Sequence, residues 1–450
     1  MLLPVKTLIR GGTLVLGDAA GSVFEGDLLI AGNRIEAVGA PGKAAKAADA
    51  GPLRIVDARG CAVVPGFVQG HVHLCQVIMR GMADDMPLLD WLRKRIWPLE
   101  AAHDEASLGA SAELGLLEMM RAGTTTILDM GTVNGHDAVM DACVRSGIRA
   151  ISGKTMMDRG EGVPKGLRET TARSLKESDR LAATWTGKGE GRIGYGYAPR
   201  FILSCSEALF RGVVERANEN GARLHSHVAE HPGERDAVRA ELGGDDVDVL
   251  ARWGFMGKNV LLAHGVQLTD AQAKMLARKG TRIVHCPSAN LKLGSGIARV
   301  ADLDALGVQL ALGADGAPCN NNLDPWMELR HAALLSKVTG GVESLPAARA
   351  FRLATLDGAR ALGLDHLVGS LEVGKRADVV VVRTDGAHAE PGGDVYSRLV
   401  YACTSRDVEH VFVDGAQVVK HQEHQVLDAD HVVARARAEA KKLTARAKIS

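Results

Sequence analysis

Eight times between Cys61 and Leu312 a short apolar run gives way to a helical pattern. The runs are Ala62–Phe67, Thr124–Asp129, Arg149–Lys154, Ile193–Ala198, Arg223–Val228, Asn259–Ala263, Arg282–His285 and Val308–Leu312. Each is too short for a helix and reads as a buried strand. Between them, Ala106–Met120 places Leu108, Ala112, Leu116 and Met119 at helical spacing, and Glu207–Glu219, Asp270–Arg278 and Val300–Leu306 repeat the theme. Strands alternating with helices define an α/β protein with a parallel sheet. A doubly wound open sheet is the rival, but eight regular repeats favour a closed (β/α)8 TIM-like barrel.

The two ends of the chain differ from this middle. Asp27–Ile30, a Gly32-Asn33 turn and Ile35–Val38 spell a hairpin, preceded by Thr7–Arg10 and Thr13–Leu16 around Gly11-Gly12. Ala40–Pro52 reads as an exposed loop. Ala377–Val382 and a second hairpin, His410–Val413 and Ala416–Val419 about Asp414-Gly415, close the chain. Neither end has enough strands for a stable sheet of its own, so the two are expected to pair. The expected division is a composite β-sandwich from 1–62 and 372–450 and a barrel over 63–371. Helical stretches at Pro325–Lys337 and Leu345–Leu362 complete the barrel, and a basic, Ala-rich helix with a solvated face ends the chain.

Composition narrows the class of partner. Lys+Arg and Asp+Glu both number 54 in 450 residues, so no basic field points to nucleic acid. No apolar stretch approaches the roughly 20 residues of a membrane span, and Met1–Arg10 acquires charge too soon for a signal peptide. Seven scattered cysteines, with no C-x-x-C pair, suit reduced thiols in a cytoplasmic enzyme.

Barrel enzymes carry their chemistry at the C-terminal ends of the strands. Strand one ends in His71-Val72-His73, whose two imidazoles share one side of an extended chain. Strand five carries His225 and His227 followed by Glu230, strand six ends in His264, and strand eight ends in Ala314-Asp315. Any one histidine here is unremarkable in a core or on a surface. Several strand ends agreeing is the pattern of a hydrolytic Zn²⁺ or Fe²⁺ site with an open position. On spacing alone either His225 or His227 can be a ligand. Cys75, Met79, Met82 and Met86 near the first strand end read as wall and packing residues.

The stretches Pro65-Gly66-Phe67-x-x-x-His71-x-His73, His227-x-x-Glu230, His264 and Ala314-Asp315-Gly316 resemble the amidohydrolase superfamily. The likeness extends to Arg80–Asp85, Trp97–Glu100, Pro287–Gly296, Asp315–Asn321 and Gly374–Asp378, and so covers essentially the whole chain. It is closest to the branch that holds the 5′-deoxyadenosine, methylthioadenosine and S-adenosylhomocysteine deaminases together with the s-triazine chlorohydrolases.

That resemblance implies a hydrolase with one divalent metal per subunit, Zn²⁺ before Fe²⁺, held by His71, His73, His227 and Asp315, with His225 a neighbour. One metal is implied because strand four ends Tyr197-Ala198-Pro199-Arg200, without the lysine of binuclear relatives. His264 would stabilise an attacking oxygen, Asp315 accept the water proton, and Glu230 donate to a ring nitrogen. Glu100 would accept the two ribose hydroxyls, which points to a purine nucleoside losing its exocyclic amine. The alternative is an s-triazine or another aminated or chlorinated heterocycle. Arg200 replaces a histidine of the nucleoside deaminases. Lys154 and Arg168 are candidates for a charged 5′ group, or belong to a loop, Asp158–Pro164, that covers the site. A small-molecule substrate, no membrane or nucleic-acid partner, and a homo-oligomer complete the expectation.

Overall fold

The computed structural model describes residues 5–47 and 52–449, folded as two sheets with helices around one of them. Eight parallel strands form the barrel sheet, Phe67–Val72, Thr124–Met130, Arg149–Gly153, Ile193–Pro199, Arg223–Val228, Val260–His264, Arg282–His285 and Gln309–Leu312, with a two-residue ninth, Thr155–Met156, paired to the fourth. They neighbour one another in chain order, and a bridge between Val72 and Asp315 brings the eighth back to the first. This is the (β/α)8 barrel. Seven of its strands lie where the apolar runs place them, within two residues.

The first strand is a correction. Ala62–Phe67 is not the barrel's first strand. Cys61–Pro65 runs in the other sheet, antiparallel to Val379–Arg383, and the barrel begins at Phe67. The strand therefore runs through His71 and Val72, and His73 follows directly on its end. The break between the two sheets falls at Gly66, where a Cβ would lie 2.1 Å from Thr125 Oγ1, so only glycine lets the chain cross so close to the second strand.

Alternation along the strands sorts side chains to two cores. Ile127, Ala150, Leu224, Leu262 and Leu310 face the helices. Their neighbours Leu128, Ile151, Leu261 and Ala311 join Val68 and Val284 inside the barrel. The inward positions at the opposite ends of the strands are left to polar residues, and that is where the histidines stand.

The second sheet contains nine strands from both ends of the chain. Strand Lys6–Val15 is continuous, with a bulge at Gly11 rather than a break. Leu53–Asp57, which sequence leaves at the edge of a loop, pairs with it in parallel. Ile35 and Phe412, far apart along the sheet, belong to one core with Leu14, Leu28 and Val381, so the sheet curls over its own interior. The two sheets are tied by Arg149, whose Nη2 lies 3.0 Å from Asp378 Oδ1 and 3.2 Å from Asp414 Oδ1, all three side chains being buried. The C-terminal helix Ala429–Ala447 lays Val432, Ala436 and Leu443 inward against the molecule and pairs Arg435 with Glu113 at 2.6 Å. The remaining basic residues keep its other face wet.

Candidate active site

Three strand ends deliver one cluster of four side chains. His71 and His73 come from the first strand, His227 from the fifth and Asp315 from the residues after the eighth. One ligand atom from each lies within 4.8 Å of every other, and all four side chains are buried. Asp315 Oδ1 is 3.1 Å from His71 Nε2 and 3.2 Å from His73 Nε2, while His73 Nε2 is 3.3 Å from His227 Nε2.

The backbone fixes which nitrogens converge. His73 Nδ1 donates to the Met130 carbonyl and His227 Nδ1 to the Arg200 carbonyl, each at 2.7 Å. With Nδ1 committed as donor, Nε2 carries the lone pair, as in outer-shell control of metal-bound imidazoles. His71 Nδ1 meets His225 Nε2 at 2.8 Å. That contact makes His225 a support to His71, outside the cluster. Strand eight reaches strand one closely enough only because residue 313 is glycine, since a Cβ there would sit 2.7 Å from the His71 carbonyl.

The donor set fits a divalent ion. His71 Nε2 has no hydrogen-bond partner although fully buried, a cost that a coordinated cation removes. Burial pulls the His71 imidazole down to about 4, which keeps it neutral and free to ligate. Burial works to raise the Asp315 carboxyl, but the close approach of the His71 and His73 imidazoles outweighs it and holds Asp315 well below the usual carboxylate range. Three neutral imidazoles and a carboxylate around an open position suit Zn²⁺ or Fe²⁺.

Glu230 and His264 flank the cluster. His264 Nε2 lies 3.4 Å from Glu230 Oε2 and 3.8 Å from Asp315 Oδ2, and its Nδ1 is 2.9 Å from Asn290 Oδ1. Burial, reinforced by the charge on Asp315, pushes the Glu230 carboxyl well above its ordinary range. A carboxyl shifted this way is more readily protonated than one in water, as a general acid requires. His264 and Asp315 both adopt left-handed backbone, φ 77° and 63°, as does Ala229 at 49°. Non-glycine residues are seldom found there, and such strain gathers at functional sites.

A cavity of about 20 Å³ adjoins these groups, bordered by Gln76, Arg200, Glu230 and His264 and roofed by Leu88, Trp91 and Leu92. The roof was not anticipated, although Leu88, Trp91 and Leu92 stand at helical spacing in the sequence. A much larger cleft, about 730 Å³, lies between Glu105–Arg121 and the C-terminal helix, and none of the clustered histidines borders it.

The remaining expected substrate contacts divide. Arg200 and Glu230 border the cavity. Glu100 does not. Its Oε2 accepts from Arg200 Nη1 at 2.6 Å and its Oε1 from Gln76 Nε2 at 2.8 Å, so it stands behind those two side chains with both oxygens engaged. Lys154 is fully buried at the end of the third strand and pairs with Glu169 and Ser174, and Arg168 is exposed. Neither borders the cavity. Cys75 is a wall residue whose thiol donates to the Gly131 carbonyl, and burial pushes it well above its ordinary range.

A barrel with this cluster defines a metal-dependent hydrolase, and comparison with known proteins places it. Residues 62–418 match the Amidohydrolase family, and the chain belongs to that family. It is 38% identical over 433 residues to a 5-methylthioadenosine/S-adenosylhomocysteine deaminase of Moorella thermoacetica, a match covering 95% of this chain and 97% of the relative. It is 37% identical over 435 residues to a 5′-deoxyadenosine deaminase of Methanosarcina acetivorans, covering 96% and 97%. Among solved structures, an adenosine deaminase from Xanthomonas campestris with bound zinc superposes with a TM-score of 0.91 at 31% identity, over 99% of this chain and 100% of that one. No helix among the described residues is long and apolar enough to cross a membrane.

Proposed function

We propose that the protein is a hydrolytic deaminase that removes the exocyclic amine of a purine nucleoside, giving the inosine analogue and ammonia. The observation that carries this reading is the placement of a buried Glu230 beside a His71–His73–His227–Asp315 cluster, with His264 between acid and cluster. Similarity to deaminases of 5′-deoxyadenosine, methylthioadenosine and S-adenosylhomocysteine supports a nucleoside rather than a triazine. Glu100 no longer supports it by direct ribose contact, because Arg200 and Gln76 occupy its oxygens.

His71, His73, His227 and Asp315 would hold one ion, Zn²⁺ by the borderline character of the donor set and the zinc in the Xanthomonas relative. When bound, such an ion makes a nearby water acidic enough to act as a nucleophile near neutral pH. The rest is done by side chains. Asp315 directs Oδ1 to His71 and His73 and turns Oδ2 toward His264, so one carboxylate can serve the ion and still accept the proton of the attacking water. His264 Nε2, buried and without a hydrogen-bond partner, faces the attacking oxygen. Attack at the ring carbon that bears the amine puts charge on the adjacent ring nitrogen, and Glu230 delivers its proton there, a contribution of roughly 10²–10⁴ in rate. The proton taken by Asp315 then passes to the departing amine, the carbon–nitrogen bond breaks and ammonia leaves, and the proton of the new hydroxyl returns to Glu230 as the ring carbonyl forms. Arg200 presents its guanidinium to the substrate from the cavity wall, and the roof of Leu88, Trp91 and Leu92 excludes water.

The experiment is turnover of 5′-deoxyadenosine, methylthioadenosine, S-adenosylhomocysteine, adenosine and an aminotriazine by metal-quantified protein, followed by ultraviolet absorbance and ammonia release. Conversion of adenine to hypoxanthine chromophore supports the reading. Silence on all nucleosides with turnover of the triazine overturns it.

A further inference from the structure

We propose that Glu234 and Asp246 are positioning residues that hold the turn on which Glu230 stands. The proposal rests on the assignment of Glu230 as the acid. The fifth strand ends at Val228, and the next two residues set the direction of the Glu230 side chain. Ala229 has φ 49°, a left-handed conformation that an L side chain avoids because its Cβ crowds the backbone. Something must hold it there.

The holding groups are two buried carboxylates. Asp246 Oδ2 accepts from the Ala229 N–H at 2.5 Å, and its Oδ1 accepts from the Val247 N–H at 2.7 Å. Glu234 Oε2 accepts from the Glu230 N–H at 3.2 Å. The Ala229 carbonyl accepts from the Gln267 N–H at 2.8 Å, and that of Val228 from the Gly265 N–H at 3.0 Å, on the loop that carries His264. Consecutive amides of the turn are thus donated to carboxylates that reach them from two helices, Pro232–Leu242 and Asp246–Arg252.

An ordinary reading is available for each acid, since carboxylates favour the first turn of a helix. Such residues are solvated. Glu234 and Asp246 are only 1% and 3% exposed, and Glu234 Oε1 has no hydrogen-bond partner. Burying a carboxyl in this way is unfavourable unless its oxygens do something there. What they do is fix the two consecutive N–H groups of Ala229 and Glu230. Asp315, His264, His73 and Arg200 face Glu230 across the cavity, while Glu234 and Asp246 hold its backbone from behind.

The test is a double-mutant cycle on the holoenzyme. Misplacing a catalytic group by about 1 Å costs on the order of 10²-fold. Glu234→Leu is expected to lower kcat about 10²-fold with KM within about threefold and metal content unchanged. Glu234→Gln, which keeps an acceptor of the same shape, is expected to recover most of that loss. In a Glu230→Gln background, adding Glu234→Leu is expected to change kcat less than about threefold, because the group being positioned no longer donates. Equal losses in both backgrounds, or a Glu234→Leu enzyme with undiminished kcat, would overturn the proposal. Should Glu234→Leu not fold, Asp246→Ala is read through the same cycle with the same two outcomes. If Glu230→Gln itself retains full turnover, the acid assignment fails. If Glu230→Gln is crippled while Glu234→Leu is not, only the positioning role fails.

Discussion

Arg200 Nη1 lies 2.6 Å from Glu100 Oε2, and both side chains are buried at the edge of the metal cluster. The arginine is doubly placed. Its side chain closes the cavity wall over Glu100, while its carbonyl accepts the Nδ1 proton of His227. A change at this position therefore reaches substrate, carboxylate and metal ligand together.

Removing one partner of a buried ion pair leaves the other charge stranded, which costs roughly 3–5 kcal/mol. Arg200→Ala is predicted to lose stability of that order in denaturant unfolding. Adding Glu100→Gln should return much of it, since the orphaned carboxylate is then gone. Equal destabilisation by the single and double variants would contradict the pairing.

Glu230→Gln should lower kcat by roughly 10²–10⁴ while leaving metal content intact. Burial, then the Asp315 charge, raises the Glu230 carboxyl well above its ordinary range, so the active protonated form persists to higher pH than in a free carboxyl. It is lost as pH rises through that raised value. The kcat profile of the wild type should accordingly fall on its alkaline side, and Glu230→Gln should lack that limb. An unchanged alkaline limb in the variant would assign it elsewhere.

Arg149 supplies a contrast, because it joins the barrel to the second sheet far from the chemistry. Its guanidinium is buried between Asp378 and Asp414. Arg149→Met should destabilise the fold by about 3–5 kcal/mol yet leave kcat of the folded enzyme within about twofold, as expected for a group that touches no reacting atom. A large fall in kcat at full folding would show that the sheet interface reaches the site.

Three histidines and an aspartate were legible in the sequence because strand ends are legible. Period-two spacing put His71 and His73 on one side, and eight repeats told which ends share a rim. Between His225 and His227 spacing could not choose. The choice is made by hydrogen bonds, His225 meeting His71 and His227 meeting the Arg200 carbonyl. Glu100, Lys154 and Arg168 show what sequence withholds. Long charged side chains pair with whatever the fold brings near, and only coordinates reveal that Glu100 faces Arg200 and Lys154 faces Glu169. The first barrel strand was displaced by five residues because Cys61–Pro65 and Phe67–Val72 form one apolar run, and nothing but a single glycine marks the passage from one sheet to the other. Glu234 and Asp246 left no signal at all, since an acid that accepts a backbone N–H looks in sequence like an acid in water.

The roof also bears on binding. About 20 Å³ is room for little more than a water, far below the roughly 300 Å³ and upward of small-molecule sites. Leu88, Trp91 and Leu92 must then move to admit a nucleoside. Trp91 fluorescence, read in a variant with the other four tryptophans replaced by phenylalanine, should change on adding the inosine-type product. A signal that stays constant through saturation would contradict a moving roof.

The most direct measurement is a metal titration of chelator-stripped protein with 5′-deoxyadenosine as substrate, read by loss of the adenine absorbance. Activity should be absent at the start, rise in proportion to added Zn²⁺ and level off at one ion per chain, with His227→Ala failing to reconstitute. Full deamination by metal-free protein, or none at any stoichiometry on any adenine nucleoside, would contradict a hydrolytic deaminase built on His71, His73, His227 and Asp315.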